Sequence, residues 1–495
     1  MLSWILGAVI YLTKLPPFWE TPAIHMVDFA GFLVSLLSFE FFLRSVLKKL
    51  GPSQIDRTTW WLFGYSLFLS TSLYVLDLSN PTPDVWVAAA TYLASGIIVR
   101  IRAGATSYMI FACLGVVLAL GYLFKTFFFP WSFVILFTAW FATGSLRKTL
   151  PQAIVAALLF SALSGPFVFA LSHAKHRVTF GDTGRLAYFM FIARTLQAAF
   201  WQGENNTGLP KHPTRQLLKT PRLYEFATPL NASYPPYYDM SYWLEGAKIR
   251  FNFRGQLAAL RQSAGTFYLI LLDQAILLTG LLVLIFSLNN WPAYLSSLGK
   301  LWYLWLPSLL ACMAYSIVLV EGRYVAPFIL VLSIAAMAGV SSSGVSLDRR
   351  VIRAVALAMC CLISVRIAKS AVSEVIALRS SPTARENVDW EVAQGLHALG
   401  FSPGDGVAGV SIMGKAHWAR LAGVRVIAEI PLGEELTFWT ADTTLRRKIM
   451  DTFAGTGARA IITEAPPLCA DKTEWKQLPH TDYYVYQLNQ RDLYP

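Results

Sequence analysis

The sequence predicts a polytopic α-helical membrane protein with about ten transmembrane helices, a long polar insert and a small C-terminal α/β domain. Hydrophobic residues make up 55% of the 495-residue chain and charged residues only 14%, well below the roughly 25% of soluble domains. Apolar stretches long enough to cross a bilayer recur along the chain. A single large hydrophilic interval, residues 173–265, interrupts them. These three observations define the class.

The chain begins with a short apolar segment, Leu2 to Leu12, which Pro16 and Pro17 follow. Its length of about 11 residues is below the roughly 20 that a helix needs to cross the hydrocarbon. The segment lacks the basic start and the small-residue cleavage site of a signal peptide. We therefore expect an interfacial or re-entrant helix, with Trp19 anchored at the level of the head groups.

Ten longer apolar stretches are predicted to span the membrane. They are residues 25–42, 59–78, 85–101, 107–124, 127–145, 152–171, 266–288, 301–320, 325–340 and 351–368. Lys and Arg concentrate in the connectors after the first, third, fifth and ninth stretches, whereas the alternate connectors contain few. Because cytoplasmic loops carry the basic excess, the pattern predicts that the insert and the tail are extracytoplasmic.

Four regions follow from this pattern. They are a membrane region at 1–172, the insert at 173–265, a second membrane region at 266–370 and the tail domain at 380–495. The insert is rich in aromatic residues and proline between Tyr234 and Trp243, unlike disordered segments. We expect it to fold over the membrane region and to form one wall of a site there.

The tail alternates short apolar runs with helical patterns. The runs are residues 407–412, 424–428, 458–463 and 483–488, and the helical patterns are residues 390–399 and 445–454. Strands that alternate with helices predict a mixed or parallel sheet.

Composition also limits the partners. The net charge of +12 could indicate nucleic acid, but much of the basic excess lies in the short connectors and no nucleic-acid motif is present. The five cysteines form no disulfide framework or metal-binding spacing, and His173 with His176 are too few for a metal site. We therefore predict no nucleic-acid partner and no cofactor, and leave a divalent metal ion open.

Four carboxylates lie in or beside the apolar stretches, where charged groups are commonly functional. Asp28, Glu40 and Asp77 lie close to the ends of their stretches, so we expect all three to be solvated. Asp273 lies deeper, and for this residue a functional role and a buried, hydrogen-bonded role are equally open.

The segment Glu321-Gly322-Arg323-Tyr324 lies between the eighth and ninth stretches. A guanidinium held there by short connections can donate two hydrogen bonds to a phosphate that arrives from the bilayer. We interpret Arg323 as a phosphate ligand. The alternative is a solvated loop arginine paired with Glu321.

The insert supplies further polar candidates. Glu204 and Asp239 could act as a general base for an acceptor hydroxyl, and Asp239 is flanked by aromatic residues, including Tyr237 and Trp243, on which a sugar could stack. An aromatic packing corner from Tyr234 to Trp243 is an equally good interpretation.

Three stretches resemble the GT-C superfamily of membrane glycosyltransferases, in particular its bacterial family-39 branch, which is similar to dolichyl-phosphate-mannose-protein mannosyltransferases. They are Leu2–Gly7 with Pro22–His25, Glu321–Tyr324 with Pro327, and Tyr224–Pro229 with Tyr234–Asp239. The resemblance implies transfer of a sugar from a polyprenyl-phosphate carrier to a glycan, lipid or protein acceptor on the outer face of the membrane. It also implies that Arg323 lies near the lipid phosphate.

The same resemblance places the family's catalytic acidic residue in an outer loop that would precede Met1. It therefore predicts a start site assigned too late or a shortened member, and Glu20 does not match the family motif. No catalytic residue is transferred, and Asp239, Glu204 and Asp273 remain as candidates. Two other functions stay open: a non-catalytic scaffold or glycan-binding protein, and a transporter, for which inverted repeats would be expected.

Overall fold

A computed structural model describes residues 1–51, 55–76, 82–193, 198–226, 232–288, 290–344, 348–380, 387–466 and 473–488. Most of these residues are helical. The α-helices are α1 Leu2–Thr13, α2 Glu20–Leu50, α3 Arg57–Ser70, α4 Asp84–Arg102, α5 Tyr108–Phe124, α6 Phe128–Ala142, α7 Leu146–Ala174, α8 Thr183–Ala187, α9 Met240–Trp243, α10 Phe253–Asp273, α11 Ala275–Phe286, α12 Trp291–Lys300, α13 Trp302–Ser316, α14 Gly322–Ser342, α15 Arg349–Ser380, α16 Val388–Ala398, α17 His417–Ala422, α18 Glu435–Trp439 and α19 Thr443–Gly455. The strands are β1 Arg215–Lys219, β2 Arg222–Glu225, β3 Gly406–Val410, β4 Arg425–Ile430, β5 Ala460–Glu464, β6 Lys476–Gln477 and β7 Tyr483–Gln487.

The chain divides into two compact units. The helical unit comprises Met1–Ala187 and Asn252–Val372, and the sheet unit comprises Tyr188–Phe251 and Ser373–Pro495. Most of the insert and the tail, which the sequence presents as separate regions, therefore belong to one unit.

The helical unit contains the membrane-spanning segments. Five helices within the described residues are long and apolar enough to cross a bilayer, namely the segment Pro17–Leu50 that includes α2, and α4, α7, α14 and α15. The bent pair α10 and α11 would make a sixth span, and α1, α5 and α6 are shorter apolar helices. The chain is thus an integral membrane protein. Each of the ten predicted stretches contains a helix, and ten crossings remain a prediction.

Glycine residues let α2 and α4 pack closely. A Cβ atom added to Gly96 of α4 would lie 2.6 Å from the Phe41 ring of α2, and one added to Gly31 of α2 would lie 2.8 Å from Val85. No real Cβ atom fits at these distances, so only glycine permits this approach. Because Val85 follows the first residue of α4, the same contact fixes where Asp84 lies.

Helices α10 and α11 meet at a bend of 82°. Such a break leaves carbonyl groups without their intrahelical donors. Arg366 of α15 donates from Nη1 to the carbonyl oxygen of Asp273 (2.7 Å) and from Nη2 to its Oδ1 (2.5 Å). Ser70 donates to Oε1 of the neighbouring Gln274 at 2.9 Å. Asp273 is thus hydrogen-bonded, but its side chain is 37% exposed and not buried, and its functional role remains a prediction.

The sheet unit is built on a seven-stranded sheet with the order β1-β2-β4-β3-β5-β7-β6. Strand β3 pairs in parallel with β4 and β5, and the other pairings are antiparallel. The mixed sheet predicted for the tail is thus present, extended by β1 and β2 from the insert. An apolar cluster that includes Phe438, Ile449, Phe453 and Trp475 packs with strand residues such as Ile461.

Candidate functional site

Five polar side chains meet where α4 and α14 begin and where α5 ends. This helix-end cluster consists of Asp84, Lys125, Glu321, Arg323 and Tyr324. Asp84 is the first residue of α4, where a carboxylate interacts favourably with the helix dipole. Lys125 is the C-cap of α5. Glu321 is the N-cap of α14.

Asp84 and Lys125 form the buried half of the cluster. The Lys125 Nζ lies 2.5 Å from Asp84 Oδ1, and the two side chains are only 15% and 3% exposed. Burial lowers the pKa of the Lys125 ammonium, and the carboxylate of Asp84 opposes that shift. The same ammonium lies 3.5 Å from the centroid of the Tyr324 ring, a favourable cation–π contact.

Arg323 and Glu321 form the exposed half. The Arg323 Nε donates to Glu321 Oε2 at 2.7 Å and lies 3.8 Å from Asp84 Oδ2. The two side chains are 32% and 39% exposed. The pairing with Glu321 is the alternative that the sequence left open. Because exposed ion pairs contribute little free energy, this pairing leaves the guanidinium available to another anion.

Aromatic rings pack against the cluster. Tyr324 stacks on Tyr315 of α13 with ring centroids 5.4 Å apart, and Tyr315 stacks on Phe127 at 4.1 Å. The Arg323 guanidinium lies 5.2 Å from the Tyr324 ring. Both cations of the cluster therefore contact one rigidly stacked ring, which limits the positions that they can take.

An apolar cavity of 430 Å³ opens among α10, α11, α13 and α14 of the same unit. Its lining includes Phe267, Leu281, Met313 and Ile329. Ile329 follows Arg323 on α14, and at 1.5 Å per residue the two positions are about 9 Å apart along the helix axis. Six residues are about one and two-thirds turns of helix, so the two side chains lie on different faces of α14, and the cavity and the helix-end cluster are separate features of one unit.

The candidates from the insert lie in the sheet unit. Asp239 caps α9 and accepts from Ser241 N (3.0 Å) and Oγ (2.7 Å), and Glu204 accepts from the Gln202 amide at 3.1 Å. Trp243 is buried against Phe226 and Tyr242, whereas Tyr237 is exposed and stacks on His417 at 5.1 Å. These contacts are those of a packing corner, and roles in catalysis or sugar binding remain predictions.

The expectation of solvation for Asp28 is wrong. Its side chain is 5% exposed, and neither carboxylate oxygen has a hydrogen-bond partner within the described residues. Asp28 is buried because the face of α2 that carries Gly31 packs against α4. Glu40 is partly exposed and pairs with Arg44, and Asp77 lies outside the described residues.

Asp84 and Lys125 were not identified from the sequence. Their positions are 41 residues apart, and pairing over that separation depends on how α4 and α5 pack. A signal was nevertheless present. Lys125 lies in the connector after the fourth predicted span, on the side that the charge alternation leaves poor in basic residues, so a lone lysine there indicates a local role.

The fold and the cluster define a polytopic integral membrane protein with a charged site at the ends of three helices. Among solved structures, the chain is similar to the crystal structure of ArnT from Cupriavidus metallidurans in the apo state. The match has 11% sequence identity and a TM-score of 0.39, and it covers 99% of this chain and 87% of that chain. A likeness this distant leaves the site to be interpreted from its own residues. No family model and no curated protein matches the sequence.

Proposed function

We propose that the protein is a GT-C-like glycosyltransferase that moves a sugar from a polyprenyl-phosphate carrier to an acceptor on the outer face of the membrane. One observation carries the proposal: Lys125 and Arg323 lie together at helix ends, in a unit that also contains an apolar cavity of 430 Å³. An amphiphile with an apolar chain and one phosphate matches both features. The motif resemblance at Glu321–Tyr324 supports the same substrate class.

Binding of the donor would exchange partners within the cluster. The phosphate replaces Glu321 as the partner of Arg323, because that pair is exposed and weak. Arg323 can then donate two hydrogen bonds to the phosphate oxygens. The buried pair of Asp84 and Lys125 stays in place, and because its two charges offset each other, Arg323 supplies the net positive charge of the site.

In the transfer step an acceptor hydroxyl attacks the anomeric carbon, and the bond from that carbon to the phosphate oxygen breaks. The leaving phosphate gains negative charge, which Arg323 stabilises in a partly dehydrated site. The hydroxyl proton goes to a carboxylate. Glu321, which loses Arg323 as its partner when the phosphate binds, is the exposed carboxylate of the cluster and takes this role in the proposal.

The test is a transfer assay with the purified chain in liposomes, a panel of polyprenyl-phosphate sugars and release of polyprenyl phosphate as the readout. We expect Arg323→Ala to reduce turnover about 100-fold or more. The turnover of Arg323→Lys should lie between those of the wild type and Arg323→Ala, because an ammonium keeps the charge but loses the planar fork. Arg177→Gln is the matched control, since Arg177 pairs with Asp182 at a similar exposure outside the cluster.

Two results would overturn the proposal. One is unchanged turnover after Arg323→Ala in a protein that still transfers sugar. The other is the absence of transfer from every donor in the panel. Sugar binding without transfer would instead support the glycan-binding alternative.

A further inference from the structure

A charged cavity lies at the opposite end of α4 from the helix-end cluster. It has a volume of 780 Å³ and is bounded by the end of α2, the start of α3, the end of α4 and the start of α5. Asp84 begins α4 and Arg100 lies in its last turn, about 24 Å away at 1.5 Å per residue. That distance is close to the thickness of the hydrocarbon core, so the two charged sites belong to opposite faces of the membrane.

The lining of this cavity is strongly basic. It contains one acidic side chain, Asp56, and five basic ones: Arg44, Lys48, Lys49, Arg57 and Arg100. Asp56 is already paired with Arg353 of α15 at 2.9 Å, and Arg44 pairs with Glu40. Lys48 and Arg57 have no ion-pair partner within the part of the chain that the structure describes. The cavity therefore carries positive charge that no acidic side chain among the described residues neutralises.

The cavity lining includes a tryptophan whose hydrogen-bond donor has no acceptor within the described residues. Trp60 is 1% exposed, and its indole Nε1 has no acceptor within the described residues. A buried donor without an acceptor is costly and rare in folded proteins. Trp60 lines the same cavity as the basic side chains, and an oxygen-bearing anion there would supply the missing acceptor once the indole N–H, which is closed to solvent, turns toward it.

One of the basic groups is held in position. The Arg100 Nε donates to Ser45 Oγ at 3.3 Å, and its guanidinium lies 4.2 Å from the centroid of the Phe41 ring. These contacts involve one edge and one face of the guanidinium, which leaves its terminal nitrogens for a ligand. An arginine fixed in this way loses little side-chain entropy when it binds an anion.

We propose that this cavity binds a phosphate group, either from a lipid head group or from a soluble phosphate. Basic residues near helix C-termini also offset the helix dipole and set membrane orientation, which accounts for the charge of Lys48, Lys49 and Arg100. Those roles need neither a cavity nor a buried indole donor in its lining. Basic pockets between membrane helices are suited to anionic head groups, and the proposal stands independently of sugar transfer.

Binding is tested on the purified full chain in phosphatidylcholine nanodiscs. One arm adds inorganic phosphate, and the other incorporates phosphatidic acid into the disc at increasing density. The readouts are calorimetry for phosphate and thermal unfolding for both arms. Saturable stabilisation by inorganic phosphate would assign a soluble ligand, and stabilisation by phosphatidic acid alone would assign a lipid head group. Either result supports the site.

Variants separate the cavity from general surface charge. We expect Lys48→Gln/Arg57→Gln to raise the apparent Kd about tenfold or more, through the loss of two charged donors, and Trp60→Phe to weaken binding while an aromatic ring is kept. The matched control is Arg147→Gln/Lys148→Gln, two exposed basic residues at the start of α7 outside the cavity lining.

Unfolding without ligand shows whether each variant is folded. We expect the double variant to fold, because Lys48 and Arg57 are exposed and surface substitutions change stability little. The absence of saturable binding by both probes would overturn the proposal. An equal loss of affinity in the control double variant would overturn it as well, because binding would then follow net charge. If the site exists and sugar transfer does not, this assay remains positive while the transfer assay is negative.

Discussion

The Lys125 ammonium and the Asp84 carboxylate are 2.5 Å apart and almost fully withdrawn from solvent. The pair joins the start of α4 to the end of α5, two helices that follow one another along the chain. In such a buried pair each charge is tolerated because the other is present. The exposed pair of Arg323 and Glu321 beside it does not have this dependence.

Asp84→Ala should therefore destabilise the protein by about 3 to 5 kcal/mol, because it leaves the Lys125 ammonium buried without its counter-ion. The double variant Asp84→Ala/Lys125→Met removes both charges and should recover a large part of this loss. Denaturant unfolding of the helical unit in detergent measures the difference. Glu321→Ala is the control, with an expected loss of no more than about 1 kcal/mol. An equal loss in the single and double variants would contradict the prediction.

Glu321→Gln should separate donor binding from turnover, if the proposed function is correct. The neutral amide competes less well for Arg323, so the KM for the polyprenyl-phosphate sugar should fall. Loss of the proton acceptor should lower kcat about 100-fold or more. Initial rates across a range of donor concentrations give both constants. An unchanged kcat would remove Glu321 as the base and leave it only as a competitor for Arg323.

The predictable part of the fold is the part with local signals. All ten apolar stretches contain helices, and the four strands predicted in the tail are present, because hydrophobic period and length act over a few residues. Strands β1 and β2 were not predicted. They are short, and β2 pairs with β4, about 200 residues further along the chain. Pairing at that separation depends on tertiary contacts that local patterning does not encode.

The candidate site was predictable only in part, for the same reason. Arg323 was identified because an arginine in a short connector between two predicted spans can be recognised from a few neighbouring residues. Its neighbours Asp84 and Lys125 come from two other connectors, and their contact follows from how α4, α5 and α14 pack. The prediction for Asp28 was wrong. Its position near the end of an apolar stretch indicated a solvated side chain, but the packing of α2 on α4 buries it.

Replacement of Asp28 should stabilise the protein. A buried carboxylate whose oxygens have no hydrogen-bond partner within the described residues is unfavourable. We expect Asp28→Ala to raise the free energy of unfolding by about 1 to 3 kcal/mol, with Asp28→Asn intermediate because the amide keeps a polar group there. Thermal unfolding measures the effect, and Glu40→Gln, at a partly exposed position on the same helix, should change little. Lower stability in Asp28→Ala would indicate that the carboxylate has a stabilising partner.

The sheet unit should become less stable as the pH rises from about 4.5 to about 7. Burial raises the pKa of Glu429 from 4.5 to about 7, although hydrogen bonds from Tyr234 and from the amides of Ile412 and Met413 oppose the shift. The folded state therefore binds a proton that the unfolded state has released in this range, so the stabilisation present at low pH is lost as the pH passes through the folded-state pKa. A shift of this size corresponds to about 3 kcal/mol.

Glu429→Gln should remove most of that pH dependence. A glutamine resembles the protonated carboxyl: its carbonyl oxygen can accept from the Ile412 amide, as Glu429 Oε1 does at 3.1 Å, and its amide can donate to the Tyr234 hydroxyl. Thermal unfolding of the purified chain at a series of pH values measures the slope for the wild type and the variant. Glu474→Gln, at an exposed position of the same unit, should keep the wild-type slope. If stability in Glu429→Gln still fell with pH as it does in the wild type, a group other than Glu429 would be responsible for the pH dependence.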